Sequence, residues 1–258
     1  MRITLIQTDI AWEDKLENLR RLHLRLEELK GETDLVVLPE TFTTGFSMNV
    51  EQLAEPMTGP TIKQLQQWAS QYGTALAGSF IAHHDDGSYR NRFFFLTPGG
   101  EATYYDKHHL FRMGHENECF TAGNERPIIC YRGFLILPQV CYDLRFPVWS
   151  RNVANEYDLA LYVACWPASR RAVWDVLLQA RAMENQCYVC GVNRTGTDGN
   201  HLLHNGGSAL YSPKGERLAF LPDGQEGMAT TNIELAPLQH LREKFPVAAD
   251  ADNFILQK

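Results

Sequence analysis

With 258 residues, of which 44% are hydrophobic and 21% charged, the chain has an ordinary globular composition and enough apolar material for a sizeable core. Its formal net charge of -7 disfavours nucleic acid or an anionic membrane surface as the main partner. No apolar run approaches the roughly 18 residues that a membrane-spanning helix needs.

The start of the chain and its cysteines indicate a reducing compartment. The first apolar run is short and is broken by Gln7, Thr8 and Asp9, so it is more typical of a strand than of a secretory signal. The six cysteines, at positions 119, 130, 141, 165, 187 and 190, form no dense spacing framework. Scattered cysteines of this kind are typical of free thiols, and we therefore expect a cytoplasmic protein.

The first part of the chain has the pattern of a β–α–β unit. Residues 2–7 and 34–38 are predicted strands, and Gly31 is a suitable end for a helix between them. That helix is predicted from leucines at three- and four-residue spacing: Leu16, Leu19, Leu22, Leu26 and Leu29. Units of this kind usually build a sheet that is covered by helices.

Helices and strands continue to alternate along the chain. A second helix is predicted over 60–72, ending at Gly73, and a third over 169–185 with Ser169 as its cap. Apolar runs between turn residues predict strands at 75–82, 92–97, 102–106, 134–140, 159–165 and 187–194, and a hairpin across 212–215. No linker or repeat interrupts the pattern. We therefore expect one α/β domain over 1–258, with a C-terminal tail, 235–258, suited to packing on a neighbouring molecule.

Two chemically useful side chains follow directly after apolar strands. Cys141 stands between FLILPQV and YDLRFP, where the chain turns and a backbone N–H can stabilise an oxyanion. Glu40 ends DLVVLPE, where a carboxylate needs partners and can act as a general base. A buried structural thiol and a loop cap are the alternatives for these two residues.

A third candidate is Lys107 in YYDKHHLF, where a strand-like run gives way to a mixed segment. A lysine beside the thiol would lower the thiol pKa and stabilise negative charge on a carbonyl oxygen. Taken alone, a lysine is more often a solvated surface residue.

Together, and in this order, the three sites resemble the nitrilase superfamily of carbon–nitrogen hydrolases. The matching motifs are LPE at 38–40, YDKHHLF at 105–111 and CYDLRFP at 141–147, with weaker matches at 166–170 (WPASR) and 180–196 (ARAMENQCYVCGVNRTG). The resemblance covers nearly the whole chain. It implies a four-layer αββα sandwich and a catalytic triad of Glu40, Lys107 and Cys141.

The resemblance also implies a mechanism without a metal or an organic cofactor. In the family, the cysteine attacks an amide carbonyl, the glutamate takes and returns the proton, and water hydrolyses the thioester. Lys107 and the backbone N–H of Tyr142 would hold the oxyanion. A second family glutamate, matched here to Glu116 in HENECFTAG, positions substrate and water. Asp143 and Arg145 are interpreted as an ion pair that shapes the nucleophile turn, rather than as substrate-binding residues.

Within the superfamily, the chain is most similar to the omega-amidases, which deamidate 2-oxoglutaramate and 2-oxosuccinamate. The similarity lies in the length, in ETFTTGFSMN after the glutamate and in FRMGHENECFTAG after the lysine. The candidates to receive the far carboxylate are Arg112, Arg170 and Arg171. The candidates for the apolar walls of a small pocket are Phe46, Met113 and Trp166. Two residues depart from those that the family often carries: Cys165 replaces an asparagine and Val148 an acidic residue.

Other interpretations remain open from the sequence. The enzyme could be another amidase of the superfamily or an N-carbamoyl amidohydrolase, or the fold could have become a binding protein without catalysis. A metal-dependent phosphoesterase is suggested by the histidines and aspartates at 83–86 and 108–109, although the first cluster is typical of a solvated turn. Cys187 and Cys190 form a CxxC whose members face opposite sides of a strand and cannot clasp one ion. A small-molecule amide and a second copy of the chain, joined through a helical face, are the expected partners.

Overall fold

Two β-sheets packed face to face, with helices on both outer surfaces, make up the computed structural model, which describes residues 1–252 and 254–255. The strands are β1 Arg2–Gln7, β2 Leu35–Val37, β3 Glu55–Pro56, β4 Ala75–His83, β5 Tyr89–Leu96, β6 Ala102–Asp106, β7 Ile129–Tyr131, β8 Phe134–Val140, β9 Leu159–Ala164, β10 Tyr188–Asn193, β11 Thr195–Thr197, β12 Leu203–Asn205, β13 Ala209–Tyr211, β14 Arg217–Phe220 and β15 Gly227–Asn232. The α-helices are α1 Lys15–Glu28, α2 Val50–Leu53, α3 Pro60–Tyr72, α4 Glu116–Cys119, α5 Arg171–Glu184 and α6 Leu235–Lys244.

Both sheets have a parallel centre and antiparallel edges. The first follows the order β15–β1–β2–β4–β5–β6, with β3 paired to β4, and β1, β2 and β4 are parallel. The second follows the order β14–β13–β10–β9–β8–β7, with β8, β9 and β10 parallel. Parallel strands of this kind are connected by crossover helices, which cover the outer face of each sheet.

Alternating side chains divide each strand of the first sheet between two apolar layers. Phe93 and Phe95 of β5 join the core between the two sheets, whereas Phe94 and Leu96 join the layer beneath α1 and α3. Successive side chains of a strand point to opposite faces, so one run of aromatic residues fills both layers.

The helix layers pack closely on the sheets. Leu22 and Leu26 of α1 are buried against the first sheet, and Trp174 and Leu178 of α5 against the second. Gly191 of β10 permits the close approach of α5, because a Cβ there would lie 2.4 Å from Leu178 Cδ1. The four-layer αββα sandwich that the resemblance implied is therefore the fold of the chain.

Three local details differ from the sequence predictions. Leu16 does not belong to the buried stripe of α1, because its side chain is 82% exposed; the buried position goes to Asn18, which binds backbone groups of the preceding loop. Ser169 does not cap α5, which begins at Arg171 after a 3₁₀ turn and has no side-chain cap. The edge strand β15, which pairs with β1, was not predicted.

The predicted tail includes α6, whose Leu238 belongs to the core of its own chain. Arg242 Nη1 donates to Asp158 Oδ1 at 2.8 Å, which fastens α6 to the second sheet. Asn253 and residues 256–258 lie outside the described residues. None of the helices formed by the described residues combines the length and the hydropathy that a bilayer crossing requires.

Candidate active site

The three candidate catalytic residues follow strands that end on the same side of the sandwich. Glu40 comes shortly after β2, Lys107 directly after β6 and Cys141 directly after β8. β6 runs in the same direction as β4, because each is antiparallel to β5. The structure thus brings these side chains from both sheets into one cavity of about 320 Å³.

Lys107 lies between two buried carboxylates. Its Nζ donates to Glu40 Oε1 at 2.9 Å and lies 2.9 Å from Glu116 Oε2, and each of the three side chains is at most 1% exposed. Asn91 Nδ2 donates to Glu40 Oε1 at 2.8 Å and to Glu116 Oε1 at 3.0 Å. Glu116, which motif matching assigned to the site, therefore shares one polar network with Glu40 and Lys107.

Backbone N–H groups complete the partners of the two carboxylates. The N–H of Cys165 donates to Glu40 Oε2 at 2.8 Å, and the N–H of Phe111 donates to Glu116 Oε2 at 2.6 Å. A buried charge is tolerated when it is paired and its remaining lone pairs accept hydrogen bonds, which is the arrangement found here.

The charged groups of the network shift one another's pKa values. Burial lowers the pKa of Lys107, but the carboxylates of Glu116 and Glu40 outweigh it and hold that pKa well above its usual range. Burial raises the pKa of Glu116, against the opposing effect of Lys107. Lys107 is therefore an ammonium at neutral pH, placed between the carboxyl groups of Glu40 and Glu116.

Cys141 stands at a strained point of the backbone. Its φ of +46° lies in the left-handed region, which is uncommon for a residue with a side chain and is often found at functional sites. Burial and the Glu40 carboxylate raise the thiol pKa well above its usual range, and the opposing effect of Lys107 is smaller. Lys107 lowers the thiol pKa, as predicted, but burial and Glu40 outweigh it, so the resting thiol carries its proton.

Asp143 holds the turn of the nucleophile, but not through the predicted ion pair with Arg145. Its Oδ2 accepts from the N–H of Val140 at 2.9 Å and from the Tyr105 hydroxyl at 2.7 Å, and its Oδ1 accepts from the N–H of His109 at 3.0 Å. Among the described residues, Asp143 makes no salt bridge with Arg145, which lines the cavity instead. Two of these partners, Tyr105 and His109, come from a distant segment that the sequence did not associate with Asp143.

Two half-buried arginines also line the cavity. Arg145 Cζ lies 5.2 Å from the centroid of the Trp166 ring, and Arg170 Cζ lies 5.3 Å from that of Phe111. Within residues 1–252 and 254–255, no carboxylate pairs with either guanidinium group. Stacking of this kind holds a guanidinium in place while its N–H donors stay available.

The other two arginine candidates are not in the cavity. Arg112 is exposed and is absent from the lining of the cavity. Arg171 is paired with Asp175 and Asp223, each at 2.8 Å. The prediction that these two could receive a substrate carboxylate is therefore wrong for this geometry.

The remaining predicted pocket residues all line the cavity: Tyr142, Phe46, Met113 and Trp166. Phe46 also places its ring 5.1 Å from Lys107 Nζ. Met113 is 77% exposed and therefore stands at the rim of the cavity.

Sequence reasoning missed the residues that the β11–β12 hairpin adds to the cavity: Asp198, Asn200, Leu202 and His204. His204 is buried, with Nδ1 3.0 Å from the backbone oxygen of Leu202, and burial, aided by Arg194, lowers its pKa to about 4. Its imidazole is therefore neutral at neutral pH. The hairpin strands are short and lack apolar alternation, so no pattern identified them. Asn91 was also missed, although a polar residue beside the aromatic run of β5 was a usable signal.

The histidines that suggested a metal site have other surroundings. His84 pairs with Asp86 in the exposed β4–β5 turn, as predicted. His108 stacks on Trp149 with ring centroids 3.7 Å apart, and His109 on Phe146 at 3.6 Å. In the described part of the chain, no group of three or more His, Cys, Asp or Glu residues is placed to hold a metal ion.

Comparisons with known proteins agree with this architecture. The sequence profile of the carbon–nitrogen hydrolases matches residues 2–243. The omega-amidase YafV of Escherichia coli (strain K12) is 46% identical over 258 residues, which covers 99% of this chain and 98% of that protein. The 2-oxoglutaramate amidase of Bacillus subtilis (strain 168) is 31% identical over 253 residues and 96% of each chain.

A solved structure is also similar over the full length. The crystal structure of XC1258 from Xanthomonas campestris, a CN-hydrolase superfamily protein with an arsenic adduct in its active site, superposes with a TM-score of 0.97. It is 42% identical, and the match covers 100% of this chain and 99% of that one. The chain therefore belongs to the carbon–nitrogen hydrolase family.

Proposed function

We propose that the protein is a cysteine-dependent omega-amidase that releases ammonia from the terminal amide of 2-oxoglutaramate and 2-oxosuccinamate. The observation that carries the proposal is the buried Lys107 ammonium, 2.9 Å from both Glu40 and Glu116, in a cavity shared with Cys141. The names of the relatives in Escherichia coli and Bacillus subtilis support the same activity.

In the first step, Glu40 accepts the thiol proton as Cys141 Sγ attacks the amide carbon. A carboxylate oxygen has two lone pairs, and those of Glu40 Oε1 are taken by Lys107 and Asn91. Among the described residues, Oε2 accepts only the N–H of Cys165, so Oε2 is the oxygen that receives the proton. Because the resting thiol is protonated, proton transfer accompanies the attack.

The tetrahedral intermediate needs donors for its oxyanion. An ammonium has three N–H groups, and two of those of Lys107 are directed at Glu40 and Glu116. The third, together with the backbone N–H of Tyr142, stabilises the oxyanion. Donors that are already fixed before the reaction need no rearrangement at the transition state, which is why they lower the barrier.

The later steps reuse the same residues. Glu40 returns the proton to the nitrogen, ammonia leaves, and the acyl group stays on Cys141 as a thioester. Glu40 then takes a proton from water, which attacks the thioester carbon, and the released thiolate recovers a proton from Glu40. Glu116 keeps Lys107 in place through both halves of the reaction.

The cavity suits a substrate with a carboxylate. Arg145 and Arg170 line it without a carboxylate partner in the described protein, and their planar groups suit bidentate binding of a carboxylate. A volume of about 320 Å³ suits a small monoamide of a dicarboxylic acid rather than a peptide.

The test is ammonia release from both oxo-acid amides beside glutamine, asparagine, a simple nitrile and an N-carbamoyl amino acid. We expect turnover of the two oxo-acid amides by the wild type, and none by Cys141→Ala. Cys187→Ala is a matched control, since Cys187 is another buried free thiol that does not line the cavity. If the enzyme turns over only another compound of this panel, that compound replaces the oxo-acid amides as the proposed substrate. Full activity of Cys141→Ala would overturn the cysteine mechanism.

We also propose a single domain, a location in the cytoplasm and a homodimer. The family profile over 2–243 supports one domain, and the free state of all six cysteines supports a reducing compartment. Val176 and Met183, which are 63% and 53% exposed on the outer face of α5, support association through a helical face. Sedimentation that shows only monomer at micromolar concentration would contradict the dimer.

A further inference from the structure

Asn91 is the one side chain in the described network, apart from Lys107, that binds both carboxylates. It stands in β5, 1% exposed, and its Nδ2 donates to Glu40 Oε1 at 2.8 Å and Glu116 Oε1 at 3.0 Å. In the catalytic steps described above, Asn91 only occupies a lone pair of Glu40 Oε1 and exchanges no proton itself. The amide must therefore act on the state of the carboxylates rather than on the substrate.

A hydrogen-bonded chain fixes the orientation of this amide. The N–H of Thr41 donates to Ser79 Oγ at 2.8 Å, and the Ser79 hydroxyl donates to Asn91 Oδ1 at 3.0 Å. The Ser79 hydroxyl thus accepts from the backbone and donates to Asn91 Oδ1, which places the amide nitrogen of Asn91 on the side of the carboxylates. The opposite orientation of the amide would place an oxygen against two carboxylates, so the two N–H groups of Asn91 face Glu40 and Glu116.

The charge balance explains why two such donors are needed. With both Glu40 and Glu116 ionised, this fully buried position would hold two negative charges against the single positive charge of Lys107. Like-charged carboxylates that share a site drive one of them to take up a proton unless donors stabilise the ionised form. A protonated Glu40 could not accept the proton of Cys141.

The other titratable groups that face the carboxylates do not supply this stabilisation. They are the thiols of Cys141 and Cys165 and the imidazole of His204. Burial, with the Glu40 charge, keeps both thiols protonated, with the pKa of Cys165 at about 12, and His204 is neutral. The buried guanidinium of Arg194 influences Cys165 and His204.

We propose that Asn91 is a positioning residue that holds Glu40 and Glu116 ionised on either side of Lys107, so that Glu40 is ready to accept the thiol proton at neutral pH. The inference rests on the proposed amide hydrolysis. It means that a residue of β5, a strand that contributes no catalytic residue, sets the lowest pH at which the enzyme is active.

The experiment compares Asn91→Leu, which has nearly the same volume and no donor, with the wild type. We expect the acidic limb of the kcat/KM profile to move upward by about one pH unit or more, with kcat rather than KM reduced about tenfold to a hundredfold at pH 7. The rate of alkylation of Cys141 by iodoacetamide is measured over the same pH range. It should show the same upward shift, and it needs no amide substrate.

Two further variants complete the design. Asn91→Asp, which keeps the shape, removes both N–H donors and adds a third carboxyl group beside Glu40, so its acidic limb should also move upward. Asn152→Leu removes a buried asparagine whose Nδ2 also donates to two acceptors, Tyr157 O and Asn185 O, outside the cavity, and should leave the acidic limb in place. If Asn91→Leu does not fold, the Asn91→Asp profile decides.

An unshifted alkylation profile in folded Asn91→Leu, or an unshifted activity profile in Asn91→Asp, overturns the inference. If the wild type releases no ammonia from any amide while the alkylation profile still shifts, the proposed function fails and the role of Asn91 stands. The two ideas therefore fail separately.

Discussion

The charged residues at the cavity form two groups that differ in how their charges are balanced, and we call the group beside Cys141 the paired end and the two arginines the unpaired end. At the paired end, Glu40, Lys107 and Glu116 satisfy one another at 2.9 to 3.0 Å, with Asn91 and backbone N–H groups completing the set. At the unpaired end, the guanidinium groups of Arg145 and Arg170 rest on aromatic rings and have no carboxylate partner in the described protein.

This difference shows which part of the site has all its polar contacts in place before the substrate binds. The paired end is preorganised, because its groups bind one another and any rearrangement would break buried hydrogen bonds. In the unpaired end, both guanidinium groups lack a carboxylate partner, which a substrate carboxylate would supply. Mutations at the first end should therefore affect both folding and chemistry, whereas mutations at the second should affect recognition alone.

The largest effect is expected from Lys107→Met. It removes an oxyanion donor and leaves two buried carboxylates without their ammonium, so kcat/KM should fall about a thousandfold or more and the free energy of unfolding by about 3–5 kcal/mol. Urea unfolding and initial rates measure the two effects. Arg126→Met is the control, because it breaks an ion pair with Glu156 away from the cavity and should spare activity. Activity within tenfold of the wild type would show that the paired end is not the catalytic one.

An intermediate effect is expected from Arg170→Leu and Arg145→Leu. Each should lower kcat/KM for 2-oxoglutaramate about tenfold to a hundredfold, mainly through KM, because the lost contact is made equally in the ground and transition states. An amide of similar length without a carboxylate should be unaffected. The free energy of unfolding should change by no more than about 0.5 kcal/mol, since neither arginine has a carboxylate partner to lose. Equal losses for both substrates would mean that the arginines only shape the cavity.

The smallest effect is expected from Cys165→Asn, which introduces the residue that the family often carries. The contact of Cys165 with the Glu40 carboxylate comes from its backbone N–H, at 2.8 Å, and its Sγ donates instead to the backbone oxygen of Glu40 at 3.2 Å. Activity should therefore stay within about threefold of the wild type in rate assays, equivalent to less than about 0.7 kcal/mol. A loss of activity comparable to that of Lys107→Met would mean that the thiol of Cys165 itself contributes to the paired end.

The sequence predicted the parts of the site that depend on local context. Glu40, Lys107 and Cys141 each end a strand-like run, and parallel strands bring such ends together. Asn91 could not be assigned in this way, because its role depends on the register between β4 and β5, which places it beside Ser79 and the two carboxylates.

The predictions that were wrong share a physical cause. Asp143 was predicted to pair with Arg145 because they are neighbours in sequence. Its hydrogen bonds with Tyr105 and His109, however, link it to β6 and the segment that follows, which approach Asp143 only in the folded protein. Leu16 was assigned to the buried stripe from its spacing, but Asn18 is needed there to satisfy backbone groups of the loop. In both cases a polar requirement that arises from tertiary contacts outweighed a local pattern.

The placement of the site at the ends of strands from both sheets has a consequence for refolding. Glu40 and Lys107 follow strands of the sheet that contains β1, whereas Cys141 follows β8 of the other, so neither sheet alone supplies both the proposed nucleophile and its proposed base. Secondary structure can form in each half before the halves meet, and contacts between residues far apart in sequence form slowly. The return of activity after dilution from denaturant should therefore lag behind the circular dichroism signal and report the moment when the two sheets dock.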